Sequence, residues 1–436
     1  MMMNATNSLG IAAVVVAAVI WVIPVEAQGL STAAAGTHGA SDSRGLAGGG
    51  AQLSTVKRTI AKRRVIPAKA TVKRTARPPS GGQSAEDYND QGDAFFDAEK
   101  YDAALAAYLK AVALDPRLSD TYYRIGWIYN EKEQYSDAIT ALDRSLALDP
   151  NSSESYFERG YAHRNSGGSQ NAISDFRSAI RLRSDYGSAW FNLGDTYYSN
   201  THEYALAIEA YQSGLRITPN VETAYYKIGW ANNDLGRFQA AIDALERAKA
   251  LKPDHAAVYA ELGYANHQLE SNAAAEAAYR QAIRLDPESS ASYVGLGDVL
   301  YDQKNYAGAL EQYKSADSSG TLGANTLYRM GYCYNDVSKF EDAVYVLNRA
   351  IELKPELSAS YTELGYAQKQ LARFNAAVKT FQRAAQLEPE AELPHYYLGQ
   401  TYLDLGDKGN AQAQYQILMK MNSEYAAKLL AKINGN

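Results

Sequence analysis

Side chains capable of catalysis are present in this chain but not in a catalytic arrangement. The six histidines, His38, His163, His202, His255, His267 and His395, never stand at i and i+4, the spacing that turns two imidazoles onto one helix face to hold a metal. No Gly-x-x-x-x-Gly-Lys phosphate loop, Gly-x-Ser-x-Gly nucleophile elbow or His-Glu-x-x-His zinc helix occurs in the 436 residues. Asp234 and Asp302 could be paired as general acid and base, but on solvated helix faces nothing desolvates them enough to tune their acidity. The single cysteine, Cys333, excludes an intramolecular disulfide. Its place inside a helical segment suits a small buried hydrophobe better than a reactive thiol. The chain is read as non-enzymatic, with no metal, cofactor or small-molecule substrate.

What the sequence offers instead is binding chemistry, and it recurs. Tyr123, Trp127 and Asn130 return as Tyr226, Trp230 and Asn233, and again as Tyr328, Tyr332 and Asn335, as though a unit of about 102 residues were copied three times. A second set, Tyr161, Tyr264 and Tyr366, keeps the same rhythm. Tyrosine is abundant throughout, 34 against 9 phenylalanines and 4 tryptophans, which suits surfaces where a ring packs and its hydroxyl meets water. An asparagine beside such rings can both donate to and accept from a peptide backbone. Copying alone would also reproduce these sets, and aromatics that pack between repeated units would look the same.

A shorter period positions these residues. Gly92, Gly126, Gly160, Gly194, Gly229, Gly263, Gly297, Gly331, Gly365 and Gly399 stand 34 residues apart, with one step of 35. Twelve residues after each glycine comes an alanine, except that the fourth interval is one residue longer, and most units end in proline, with Ser184 and Thr321 as replacements. Within a unit, Tyr122, Ile125, Gly126 and Tyr129 form one amphipathic stripe, and Ala138, Leu142 and Ser145 form a second after a polar break. Each unit is therefore two antiparallel helices. Glycine in a helix costs about 1 kcal/mol relative to alanine, so ten of them imply close helix approach, expected here between each glycine and its alanine. The extra residue of the fourth unit is expected in the turn around Ser199 to Tyr204.

The pattern resembles the tetratricopeptide repeat family, matching W-x2-L-G-x2-Y…A-x3-F…P over roughly residues 85 to 423. The resemblance implies an all-α fold, an α-solenoid wound as a right-handed superhelix of helical hairpins. It also implies a concave groove lined by positions five, nine, twelve and thirteen of each repeat, which binds extended or helical protein segments. In this chain Tyr123, Trp127, Asn130, Tyr161, Tyr226, Trp230, Asn233, Tyr264, Tyr328, Tyr332, Asn335 and Tyr366 occupy such positions. Chaperone-binding members hold a carboxylate tail with lysines and arginines. This chain has acids at position thirteen instead, Asp97, Glu131, Asp234, Asp302, Asp336 and Asp404, so the expected ligand is apolar, basic or both.

Four segments follow. Residues 1–27 read as a signal peptide: an apolar run from Gly10 to Val25 ending at Val25-Glu26-Ala27, without a basic residue before it. The run is shorter than the roughly 20 residues of a spanning helix; cleavage and retention as an anchor both remain open. Residues 28–84, rich in Ala, Gly, Ser and Thr, read as a disordered basic linker with ten basic residues against Asp42, a net of +9. Residues 85–422 hold ten repeats, and 423–436 a capping helix with Tyr425, Leu429, Leu430 and Ile433 on one face. From residue 85 onward, 33 basic side chains face 47 acidic ones, a net of −14. The expected function is an exported, periplasmic or secreted protein-binding scaffold of the cell envelope, with no nucleic-acid partner. The alternative is an adhesion protein whose residues 57–77 hold an anionic polymer or lipid surface while the array acts as a spacer.

Overall fold

The computed structural model describes residues 83–317 and 321–435, all within the unit Ala40–Asn436. The expected signal peptide, residues 1–27, and nearly all of the expected basic linker, residues 28–84, lie outside the described residues. Ten helical hairpins follow one another. Their first helices are α1 (Ala85–Asp97), α3 (Ser119–Glu131), α5 (Ser153–Asn165), α7 (Gly187–Thr196), α9 (Glu222–Asp234), α11 (Ala256–Gln268), α13 (Ser290–Asp302), α15 (Ala324–Asp336), α17 (Ser358–Gln370) and α19 (Glu392–Asp404). Their second helices are α2 (Tyr101–Leu114), α4 (Tyr135–Leu148), α6 (Ser169–Leu182), α8 (Tyr204–Ile217), α10 (Phe238–Leu251), α12 (Asn272–Leu285), α14 (Tyr306–Ala316), α16 (Phe340–Leu353), α18 (Phe374–Leu387) and α20 (Lys408–Lys420). A final helix, α21 (Glu424–Ile433), lies against α19 and α20. None of the described helices is long and apolar enough to cross a membrane.

The array begins at a capping box. Ser84 Oγ accepts from the Asp87 amide at 3.2 Å, and the Asp87 carboxylate accepts from the Ser84 amide at 2.9 Å, so two otherwise orphaned donors are satisfied together. Each hairpin then closes around its glycine, but the expected glycine–alanine contact is not the one formed. The ten alanines are fully buried, yet a Cβ on Gly263 would meet the Tyr279 ring at 2.8 Å, and one on Gly126 would meet Leu142 Cγ at 2.4 Å. The glycine makes room for a bulky apolar or aromatic side chain of the second helix, Tyr108, Leu142, Phe176, Tyr211, Leu245, Tyr279, Tyr313, Leu347 or Phe381. Most of these side chains are wholly buried. In the tenth hairpin Gly399 faces Leu429 of α21 instead, which shows how the last helix completes the core.

The two irregular repeats depart in different ways. The extra residue of the fourth repeat does not sit in a free turn: it widens the end of α7 into a π-helical turn, Tyr197–Thr201, closed by left-handed His202. At Ser184 the missing proline changes little, since α6 keeps its 14 residues. At Thr321 it coincides with a second helix of only 11 residues, α14. Among the described helices, most neighbouring first helices touch directly, whereas no successive second helices do so comparably. The first helices therefore form the tighter side of the array, and their outward stripe is its inner face.

Candidate functional site on the inner face

At 3.6 residues per turn, positions five, nine, twelve and thirteen of a first helix share one stripe, and position six falls beside them. All twelve candidate residues stand on this stripe, and none is fully exposed: Trp127, Asn130, Tyr226, Asn233 and Asn335 are buried, the others half-buried. The position-nine rings pack across repeat boundaries. Trp127 meets Phe96 at 4.9 Å and Tyr101 at 5.4 Å, Trp230 meets Tyr198 at 5.5 Å, and Tyr332 meets Tyr301 at 5.5 Å and Tyr306 at 5.2 Å. Tyr161, Tyr264 and Tyr366 likewise approach the first ring of the preceding second helix, Tyr135, Phe238 and Phe340. Such edge and tilted pairs each add about 0.5–1.5 kcal/mol. These rings thus join one repeat to the next.

The asparagines are engaged as well. Asn130 Nδ2 donates to both the main-chain carbonyl and the carboxylate of Glu158, each at 2.9 Å. Asn233 does the same to Glu261 at 3.2 and 2.8 Å, and Asn335 to Glu363 at 3.0 and 2.8 Å. None therefore has a free amide donor for a peptide. Each keeps its side-chain oxygen, Oδ1, buried without a hydrogen-bond partner. The glutamates sit at position six, which the sequence reading overlooked. Their signal was present, a glutamate 28 residues after each of the three recurring asparagines.

Charge pairs fill the other boundaries. Asp93 pairs with Arg124 at 3.3 Å, Asp195 with Lys227 and Arg164, and Asp298 with Arg329 at 2.8 Å. Tyr108, Tyr211 and Tyr313 donate their hydroxyls to the same three aspartates at 2.7–2.8 Å. His267 reaches Asp302 at 2.8 Å and Lys369 reaches Asp404 at 3.1 Å. Asp234 accepts from the Tyr198 hydroxyl at 2.8 Å, so Asp234 and Asp302 serve in separate boundary contacts. Burial pushes the Cys333 thiol up to about 12, which leaves it protonated and unreactive. Burial likewise raises the hydroxyls of Tyr123, Tyr226 and Tyr328, each further raised by its neighbour Glu158, Glu261 or Glu363. Glu363 itself is pushed up to about 7 because its carboxyl is surrounded by protein. Acids at Asp97, Asp302, Asp336 and Asp404 remain exposed along the rim. A cleft of about 260 Å³ among Ile180, Trp190, Leu193 and Leu206 lies between α6, α7 and α8 and contains none of the candidate residues.

Among solved structures, a MamA protein is 31% identical over 39% of this chain and 92% of its own, with a TM-score of 0.37. YrrB, described as a TPR protein with an unusual peptide-binding site, is 20% identical over 44% of this chain and 98% of its own, with a TM-score of 0.41. Yeast Tom70 is 15% identical over 80% of this chain and 95% of its own, with a TM-score of 0.32. No curated protein matches. Models of the tetratricopeptide repeat match residues 89–153, 157–222, 226–289, 268–324, 324–357 and 358–390, and this chain belongs to the tetratricopeptide repeat family.

Proposed function

We propose that the chain is a non-catalytic scaffold whose inner face binds extended or helical segments of other proteins, segments that are basic, apolar or both. The observation that carries the reading is the placement of Asp97, Asp302, Asp336 and Asp404 as exposed acids along the first-helix stripe, beside half-buried tyrosines. The array's net charge of −14 would attract such ligands over several ångströms at ordinary salt. Binding to a peptide array graded from acidic to basic is the direct test. The full chain should retain basic and apolar peptides, and changing the four rim aspartates to lysine should abolish that retention. Equal retention of acidic peptides, or binding that survives the four substitutions, would overturn the reading.

A second reading rests on residues 57–77, which hold nine of the ten basic residues of the linker. There the segment adheres to an anionic polymer or lipid surface, each charge contributing about 1 kcal/mol near such a surface. Deleting residues 28–84 separates the two, since a scaffold keeps its protein ligand and an adhesion protein loses its surface. Export to the cell envelope rests on the apolar run from Gly10 to Val25. Intact mass of exported material should give a chain beginning at Gln28; retention of Met1 would favour an anchor.

A further inference from the structure

Carboxylates on the inner face are matched in different ways. The aspartates Asp93, Asp195 and Asp298 each meet a lysine or arginine from an adjacent repeat. Glu363, on α17, meets only an uncharged amide: Oε2 accepts from Asn335 Nδ2 at 2.8 Å. Among the described residues it forms no ion pair, and Oε1 accepts no hydrogen bond. Two further features stand beside it. Asn335 is 6% exposed and its Oδ1 has no partner, on the same amide that holds Glu363. Tyr328 and Tyr332 from α15 and Tyr397 from α19 lie close enough to act on the carboxylate. Tyr366, one turn along α17, packs its ring 5.4 Å from that of Tyr397.

We propose that the surroundings of Glu363, between α15, α17 and α19, form a binding site for one cationic side chain, a lysine or arginine carried by a bound protein segment. The inference rests on the reading of the inner face as a partner-binding surface. A carboxylate oxygen, an amide oxygen and several aromatic rings are together the complement of an ammonium or guanidinium group. The first two accept its hydrogen bonds, and the rings attract its charge. An unmatched carboxylate in protein surroundings resists ionisation, in keeping with its rise to about 7. The groups facing it from α15 and α19 are tyrosines, neutral at this pH, and none of the helices packed on α17 supplies a cation that shifts it. Arrival of a cation then favours the ionised form, so binding releases a proton and tightens as pH rises through about 7. The same Asn–Glu hydrogen bonds occur at Asn130–Glu158 and Asn233–Glu261.

The test is calorimetric titration with an acetylated and amidated peptide of the sequence 57–77, and with its counterpart in which the nine lysines and arginines are glutamine. Two buffers of different ionisation enthalpy count the protons. The peptide should bind the full chain with release of up to one proton near pH 7, and the neutral counterpart should not. Glu363→Gln should weaken binding about tenfold, the loss expected for one hydrogen bond to a charged group, and remove the proton release. Asp336→Asn, on the rim, should lower affinity while leaving the proton count unchanged. A Glu363→Gln chain with wild-type affinity and proton count would overturn the site. If the four rim lysine substitutions still abolished binding, the inner face would stand and only the cation site would fall. Repeating the titration on a full-length chain whose nine basic residues at 57–77 are glutamine identifies the natural source. Tighter binding of the added peptide would mean that the chain's own segment occupies the site, and unchanged binding that a partner's does.

Discussion

Helix α15 takes part in two boundaries of opposite character. On one side its Arg329 meets Asp298 at 2.8 Å, and the Tyr313 hydroxyl joins the same carboxylate at 2.7 Å. On the other its Asn335 holds Glu363 at 2.8 Å with no cation present. Both acids have hydrogen bonds of similar length, yet only one has its charge matched. A satisfied hydrogen bond and a satisfied charge are therefore separate conditions. The first boundary is built to hold two repeats together. The second holds them together while leaving a carboxylate with unused capacity.

Removing the charge from each side should separate the two boundaries, with the largest effect at the matched one. Asp298→Ala leaves Arg329 and the Tyr313 hydroxyl without their partner. Removing one member of a buried pair costs about 3–5 kcal/mol, and because both side chains are about a quarter exposed the expectation here is nearer 3 kcal/mol. In a repeat array the loss can stay local, so hydrogen exchange across α13, α14 and α15 is the appropriate measurement. Exchange rates equal to wild type would mean that the ion pair adds nothing to the boundary.

The apolar seam inside a hairpin is a reference for both polar boundaries. Gly263→Val should cost about 2 kcal/mol through overpacking against Tyr279. The cost should fall when Tyr279 is also alanine and should persist when Ala275 is glycine. Denaturant midpoints of the four chains decide which contact the glycine serves. A cost relieved by the Ala275 change would restore the glycine–alanine contact that the sequence suggests.

That seam also marks the limit of what the sequence made legible. The 34-residue period and the hairpins can be read directly, because apolar spacing and the glycine and proline positions are local signals. The partner of the glycine cannot, since a buried alanine and a buried tyrosine in the second helix both fit the pattern. The aromatic and asparagine sets were found as residues, but the groove they were expected to line is partly closed by their own contacts. Trp127 against Phe96, and Asn130 against Glu158, cross repeat boundaries 28 to 31 residues apart in sequence. No periodicity within one helix reports such pairs. The π-helical turn at Tyr197–Thr201 was likewise invisible, because counting residues cannot say whether an insertion widens a helix or lengthens a turn.

At the unmatched boundary, Glu363→Gln should stabilise the array, and only at higher pH. The folded carboxyl titrates near 7 against an ordinary value of 4.5, so the native state holds its proton longer than the unfolded chain. Stability from this group is unaffected below about 4.5, declines as pH rises towards 7, and stays reduced above it. Glutamine keeps the acceptor for Asn335 and removes the charge. The ceiling is about 3 kcal/mol at 1.36 kcal/mol per unit, and partial access of water reduces the expectation to about 1–2 kcal/mol. Denaturation at pH 5 and pH 8 gives the answer; an equal gain at both would show that charge is not the cause.

A change in the turn after the same helix that ignores pH provides the control. The turns between first and second helices each contain one residue in the left-handed region: glycine at Gly167, Gly236 and Gly406, but Glu99, Glu133, His202, Glu270, Lys304, Ser338 and Ala372 elsewhere. Ala372, at φ 56°, stands just beyond Leu371, the C-cap of α17, and its amide donates to the Lys369 carbonyl at 2.9 Å. A side chain with a Cβ pays about 1–2 kcal/mol for this conformation, whereas glycine adopts it freely at an entropic cost of about 0.5–1 kcal/mol in the unfolded chain. Ala372→Gly should therefore stabilise by about 0.5 kcal/mol, equally at pH 5 and pH 8, because no titrating group is altered. Combined with Glu363→Gln, the two gains should add at pH 8, while at pH 5 the gain of Ala372→Gly should account for most of the total. If the Ala372→Gly gain itself varied with pH, the turn and the carboxylate would be coupled through α17, and the pH response of Glu363→Gln could no longer be assigned to the unmatched charge alone.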